Sequence, residues 1–208
     1  MVSHENSAIL TGGLSNGDNV SDGIYKISLN PPHNPKITDP KLLTQMPESR
    51  CYHSCEMIDN QVVLAGGRAS IYFKDTKNTV CVYDMNNNEC KTLPPLPFAI
   101  TEMASVSYKG NVILIGGIDE KGQTLNSVVI YDVKTGKIKM LPCLNHKRAG
   151  SAAVITGNVI IVMGGYVYET KTFLSSVECL DLSSNVWREL SPMTTKRSAA
   201  TAVVKPLS

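Results

Sequence analysis

Four apolar, largely β-branched runs each stop on a pair of glycines. They are Ile9-Leu10-Thr11 before Gly12-Gly13, Val62-Val63-Leu64-Ala65 before Gly66-Gly67, Val112-Ile113-Leu114-Ile115 before Gly116-Gly117, and Val159-Ile160-Ile161-Val162-Met163 before Gly164-Gly165. Short runs of this kind, bounded by turn-forming residues, read as strands, and continuous apolarity reads as a strand covered on both faces. The first glycines stand 54, 50 and 48 residues apart, from 12 to 66, 66 to 116 and 116 to 164. Self-similarity at a fixed period marks an array of supersecondary units.

Further markers keep step with the glycines. Tyr25, Tyr83 and Tyr131 follow the second glycine by 12, 16 and 14 residues, and Leu180 takes that place at 15. Ten residues beyond the last three comes Leu-x-x-Leu/Met: Leu93–Leu96, Leu141–Leu144 and Leu190–Met193. In the first unit Leu43–Met46 lies 18 residues after Tyr25, so eight residues are inserted. The insert holds Pro31, Pro32, Pro35 and Pro40, which cannot continue a central strand, and it reads as a surface loop. From Leu43, Leu93 and Leu141 to the next doublet the distance is always 23 residues. Packed strands resist length change and loops absorb it, so this constant half holds the innermost strands.

Each unit is predicted to hold four strands, A to D. Strand A is small and apolar, as in Gly150–Ile155 and Ser198–Val203. A tight turn such as Lys109-Gly110-Asn111 or Thr156-Gly157-Asn158 leads into strand B. The doublet ends strand B, and strand C follows, as in Ser127–Val133. Asp84, Asp132 and Asp181 open the turn into strand D, which carries the leucine mark. The units span approximately 1–46, 47–96, 97–144 and 145–193, with a partial strand in 194–208.

These markers together resemble the kelch repeat, whose period of roughly 50 residues fits better than the roughly 40–45 of WD40. The fullest version is Gly164-Gly165, Val177-Glu178-Cys179-Leu180-Asp181 and Trp187. Cys90 and Ile138 replace the tryptophan in the second and third units. The resemblance implies an all-β fold, a kelch β-propeller with four repeats of four-stranded antiparallel blades. It makes Gly12, Gly13, Gly66, Gly67, Gly116, Gly117, Gly164 and Gly165, with Tyr25, Tyr83, Tyr131 and Trp187, structural marks of the repeat. By this reading the chain begins just before the first strand B and ends after a fifth strand A at 197–204. Two arrangements stay open: a fragment of a larger, about six-bladed propeller, or a small ring that 197–204 closes by joining the first unit.

Composition removes several function classes. The net charge is only +2, with no basic block, so neither nucleic acid nor a membrane surface is expected as a partner. No apolar run approaches the roughly 18 residues of a spanning helix. The N-terminal residues lack the features of a secretory signal, so the six cysteines read as reduced thiols of a cytoplasmic protein. Cys51 and Cys55 fall in one predicted strand, about 13 Å apart, too far for a disulfide. His4, His33, His53 and His146 occupy unrelated repeat positions, so no metal site, cofactor or catalytic residue is expected. Galactose oxidase, a propeller enzyme with kelch-type repeats, finds no matching positions here. Nor does the sequence place the arginine–glutamate channel pair of kelch-type sugar mutarotases.

Arginine does recur. Arg50, Arg148 and Arg197 stand four residues after Met46, Leu144 and Met193, with Ile100 in the remaining unit, and Arg68 directly follows a doublet. In kelch-like ubiquitin-ligase adaptors, arginines at both kinds of position contact acidic degron peptides. The resemblance therefore makes Arg50, Arg68, Arg148 and Arg197 candidates for partner binding, with Tyr166 and Tyr168 adding aromatic contacts. An arginine at the D–A corner is equally a framework residue between blades, and both readings stay open. The function implied is a protein–protein interaction scaffold: the substrate-recognition propeller of a BTB–kelch adaptor for a cullin-3 ubiquitin ligase. Cullin-3 would be reached only through domains not present in these residues. An actin- or cytoskeleton-binding kelch protein and a kelch-fold sugar-modifying enzyme are the alternatives. A channel glutamate or a metal-ligand set would favour the enzyme.

Overall fold

The computed structural model describes residues 1–4, 7–15, 18–28 and 39–204. Every apolar run became a strand in the middle of a four-stranded antiparallel sheet. The first sheet is β1 (Val2–His4), β2 (Ser7–Thr11), β3 (Gly23–Ser28) and β4 (Lys41–Gln45). The second is β5 (Ser54–Ile58), β6 (Gln61–Ala65), β7 (Val80–Asp84) and β8 (Glu89–Leu93). The third is β9 (Ala104–Tyr108), β10 (Asn111–Ile115), β11 (Val128–Asp132) and β12 (Ile138–Leu141). The fourth takes β13 (Ala152–Thr156) and β14 (Val159–Met163), then a short hairpin, β15 (Tyr166–Val167) with β16 (Thr172–Phe173), before β17 (Val177–Asp181) and β18 (Val186–Leu190). These are four blades of a propeller, with the small-residue strands β1, β5, β9 and β13 innermost.

Sheet stacking accounts for the unbroken apolarity of strand B. In β10, Val112 and Leu114 pack toward the second blade, while Ile113 and Ile115 pack toward the fourth. All four are buried. In β14, Ile160 and Val162 are buried against the third blade, while Ile161 and Met163 on the other face are half-buried. Each side chain fully buried here contributes about 1.5–3 kcal/mol.

The glycine doublet proves to be the seam between blades. The amides of Gly13, Gly67, Gly117 and Gly165 donate to the carbonyls of Arg50, Ile100, Arg148 and Arg197, at 2.8–2.9 Å. Each acceptor lies at the D–A corner that leads into the next blade. A Cβ on the first glycine, as at Gly116 (φ +63°), would overlap the Arg148 carbonyl oxygen. Two residues beyond each acceptor, a second chain of bonds circles the inner mouth: Glu102 N to Tyr52 O, Gly150 N to Glu102 O, and Ala199 N to Gly150 O, at 2.8–3.0 Å. Tyr52, Glu102, Gly150 and Ala199 all take φ between 52° and 57°. Both chains tie down the D–A corner, which explains why the segment containing it never changes length.

The aromatic marks tie the outer edge. Tyr131 Oη donates to Pro94 O and Trp187 Nε1 to Pro142 O, both at 2.8 Å and both into the preceding blade. The aspartates that open the C–D turns accept amides two residues on: Asn86 N to Asp84, Lys134 N to Asp132 and Ser183 N to Asp181, at 2.8–2.9 Å.

Two expectations need correction. The chain does not begin at the first strand B: β1 pairs with β2, Val2 opposite Ile9, and takes the innermost place of the first sheet. Residues 198–203 form no strand. Ala200, Thr201 and Ala202 instead line the channel beside β13, so 197–204 does not complete the first blade. Most of the predicted proline-rich loop, with Pro31, Pro32, Pro35 and His33, lies outside the described residues; Pro40 is exposed ahead of β4.

Candidate functional site

The four candidate arginines separate into three environments. Arg50 is 1 % exposed. Its Nη1 donates to Gly66 O (3.0 Å) and Thr79 O (3.1 Å), and its Nη2 to Thr79 Oγ1 (3.1 Å). Arg148 is 0 % exposed and repeats the pattern, with Nη1 on Gly164 O (2.6 Å) and Ser176 O (3.3 Å) and Nη2 on Ser176 Oγ (3.1 Å). Its Nη2 also pairs with the fully buried Glu178 carboxylate. Each guanidinium thus ties the end of strand B to the start of strand C within its own blade. The third blade supplies the converse. Ile100 holds the corner there, and the equivalent hydroxyl, Ser127 Oγ, is buried without a partner. The assignment of Arg50 and Arg148 to partner binding is therefore corrected: both side chains are buried and their Nη donors are spent on strand ends within the framework. Arg197 is exposed and makes no side-chain hydrogen bond among the described residues.

Arg68 is different. It follows the second doublet, and its backbone bonds reciprocally with Cys51 at 2.9 Å, which holds the B–C loop against the corner. The side chain is 8 % exposed. Its guanidinium lies 4.3 Å from the Tyr52 ring centroid and 4.7 Å from that of Phe73, within cation–π range. Nη2 pairs with Glu102 Oε1 at 2.8 Å. Tyr168 Oη donates to Glu102 Oε2 at 3.1 Å. Burial, with the Glu102 charge next in order, pushes the Tyr168 phenol up to about 12. Tyr166 packs on both Tyr168 and Phe173, with ring centroids 4.8 and 4.7 Å away.

These side chains, with Phe73 standing behind Arg68 and Tyr168, wall a concavity of about 640 Å³ at the mouth of the channel, on the loop face. Loops from three blades build it. Phe73 comes from the second, and its ring meets Tyr168 of the fourth edge-on at 5.4 Å. Thr124 of the third accepts the Tyr168 amide at 2.9 Å and donates its own amide to Glu169 at 3.0 Å. Among the described residues, Arg68 and Glu102 are the charged ones lining the cup, and their formal charges cancel.

The sequence singled out Arg68, Tyr166 and Tyr168, and the fold brings these three together. It missed Tyr52, Phe73, Glu102 and Phe173. Two of these had a signal: Tyr52 and Glu102 both stand two residues after a D–A corner position, in register with Gly150 and Ala199. Phe73 and Phe173 sit in loops of unequal length and carry no periodic mark.

His53 lies at the base of the cup. Its Nε2 is 2.8 Å from Thr11 Oγ1. Burial, then the Arg50 charge, lowers its pKa to about 3, so the imidazole is neutral. The unfolded chain takes up a proton below about pH 6.5 that the folded chain refuses. Stability is therefore expected to be complete above pH 6.5 and to fall progressively as the pH drops from there toward 3. Urea titrations across that range should show the fall, and His53→Gln should flatten it.

Among the described residues, the inner channel holds one acidic side chain that the sequence did not place. Glu56 accepts Ser105 Oγ at 2.6 Å, and burial raises its pKa. The channel cavity is about 420 Å³, and no arginine lines it. Among the described residues no three His, Cys, Asp or Glu side chains group as metal ligands.

Comparison with known proteins agrees with this geometry. The model of the KLHDC2/KLHL20/DRC7 Kelch-repeats domain matches residues 1–205. The chain belongs to this kelch-repeat family. The kelch-like protein 40a of Danio rerio is 27% identical over 128 residues, covering 60% of this kelch chain and 20% of that protein. The kelch chain thus spans one-fifth of its curated relative's length. The solved structure of YjhT superposes with a TM-score of 0.71, at 18% identity, over 90% of this chain and 66% of that one. At that identity the likeness concerns the fold.

Proposed function

We propose that the chain is a non-catalytic protein-recognition propeller that seats a segment of its partner in the loop-face cup. The carrying observation is the cup itself: four aromatic rings line it beside the Arg68–Glu102 ion pair, and a fifth, Phe73, backs them. Phe173 is 50 % exposed, and Tyr72 and Ile71 are exposed on a neighbouring loop. Apolar surface gathered on one face, with polar groups fixed among it, is the mark of an interaction site. In its full-length setting we assign the propeller to a cytoplasmic BTB–kelch adaptor that presents substrates to a cullin-3 ubiquitin ligase. Likeness to kelch-like protein 40a supports that context, and cullin-3 would be engaged by domains outside these residues.

The test is affinity capture with the full-length gene product, wild type against Tyr166→Ala and Phe173→Ala. Aromatic residues that act as hot spots at the centre of an interface carry about 2 kcal/mol or more each. Each variant should lose most of the captured partner at unchanged Tm and still retain cullin-3. Undiminished capture by both variants would overturn the cup as the binding site, and absence of cullin-3 would overturn the adaptor context.

A second reading has one observation behind it. Glu56 in the channel suits a sugar hydroxyl, although no arginine accompanies it. Turnover of a sugar by the purified chain, abolished by Glu56→Gln, would favour that reading over protein recognition.

A further inference from the structure

Arg68 carries more hydrogen-bonding capacity than the protein uses. Nη2 is paired with Glu102, but Nε and Nη1 are buried without a partner. A buried N–H left unpaired costs about 1–3 kcal/mol, and these lie in the wall of a cavity large enough for a side chain. Beside them, Glu102 accepts from Arg68 and Tyr168, and its two oxygens have lone pairs left over. The wall of the cup therefore holds unused donors next to an unused acceptor, with cancelling charges. Tyr52, about half of whose surface is exposed, covers the guanidinium, so a ligand reaches these donors by displacing that ring.

We infer that the cup takes the neutral side-chain carboxamide of a peptide partner, a glutamine or an asparagine. The carboxamide oxygen accepts from Arg68, its N–H donates to Glu102, and its plane lies against the rings of Tyr52 and Tyr166. The inference rests on the loop-face peptide reading above and names the group recognised. A carboxylate fits less well. It satisfies Arg68 but brings a second negative charge against Glu102 and offers that residue no proton. Like charges brought together in a desolvated site are strongly disfavoured. The acidic peptide expected from the sequence required several free arginines on one face, and the fold withdraws two of them into the framework.

Three capped tripeptides test this by NMR titration of the intact chain: Ac-Ala-Gln-Ala-NH2, Ac-Ala-Glu-Ala-NH2 and Ac-Ala-Ala-Ala-NH2. The glutamine peptide should bind roughly tenfold more tightly than either of the others, the ratio set by one satisfied hydrogen-bonding pair. It should perturb Tyr52, Tyr166 and the Arg68 side-chain signals, and its affinity should not depend on salt. Glu102→Gln removes the balancing charge and should reverse the order, so that the glutamate peptide binds best and with marked salt dependence. Tighter binding of the glutamate peptide to the wild type would overturn the inference. Equal binding of all three at the cup would overturn it and leave the cup as a peptide site. No perturbation of the cup by any peptide would overturn both.

Discussion

Arg148→Ile alone should destabilise the protein by about 3–5 kcal/mol, because it leaves the Glu178 carboxylate buried and uncompensated. For a chain of this length that is a fall in Tm of roughly 10 °C. The third blade shows what the compensated alternative looks like. Ile100 stands at the corner where the fourth blade has Arg148, and Val129 opposes it where the fourth blade has Glu178. Installing both, as Arg148→Ile with Glu178→Val, should recover most of the loss, since an apolar pair of suitable volume often replaces a buried ion pair at little cost. Recovery will be incomplete. Glu178 also accepts the amides of Asn145 (2.6 Å) and His146 (3.3 Å), and the third blade avoids the first of these demands with Pro97, which has no N–H. Calorimetry of the two single variants and the double gives the coupling directly. Additive losses would mean that the two side chains act independently.

Gly116→Ala is the second large effect. Alanine in the left-handed region costs about 1–2 kcal/mol, and the displaced Arg148 carbonyl adds about 1–3 kcal/mol of strain. Gly157→Ala is the control: its φ of +57° is as unfavourable, but no atom lies within 4 Å of the added Cβ. The first variant should lose at least twice the stability of the second in urea denaturation. Equal losses would show that conformation alone, and not the approach of the next blade, explains the doublet.

How much of this was legible in the sequence depended on whether a residue repeats. The doublets, the Leu-x-x-Leu/Met mark and the constant spacing all sit in packed strands, where length is fixed, so the four blades could be read from them. Their physical role could not. Gly117 looks like the end of a strand, and only the fold shows its amide reaching the corner ahead of the next blade. The arginines were ambiguous for a chemical reason. A guanidinium suits carbonyls at a strand end as well as it suits a carboxylate on a ligand, and burial alone separates Arg148 from Arg197. Strand β1 was missed because Val2-Ser3-His4 is too short to carry a period. The cup was half-visible: Arg68, Tyr166 and Tyr168 follow doublets directly, whereas Phe73 and Phe173 lie in elastic loops. Their convergence depends on how blades stack, which no local pattern records.

The central claim is that the doublet face, with its cup, meets the partner and the opposite face does not. Residue-specific photocrosslinking tests it most directly. A p-benzoylphenylalanine placed at Phe173 faces the cup; one at Val186 stands at the first residue of β18, just past the C–D turn of the same blade, at the other end of the sheet. Both positions are 50 % exposed, so access to solvent is matched. With the full-length protein and its captured partner, crosslinks are expected at Phe173 and not at Val186. Crosslinking at Val186 with none at Phe173 would contradict the account.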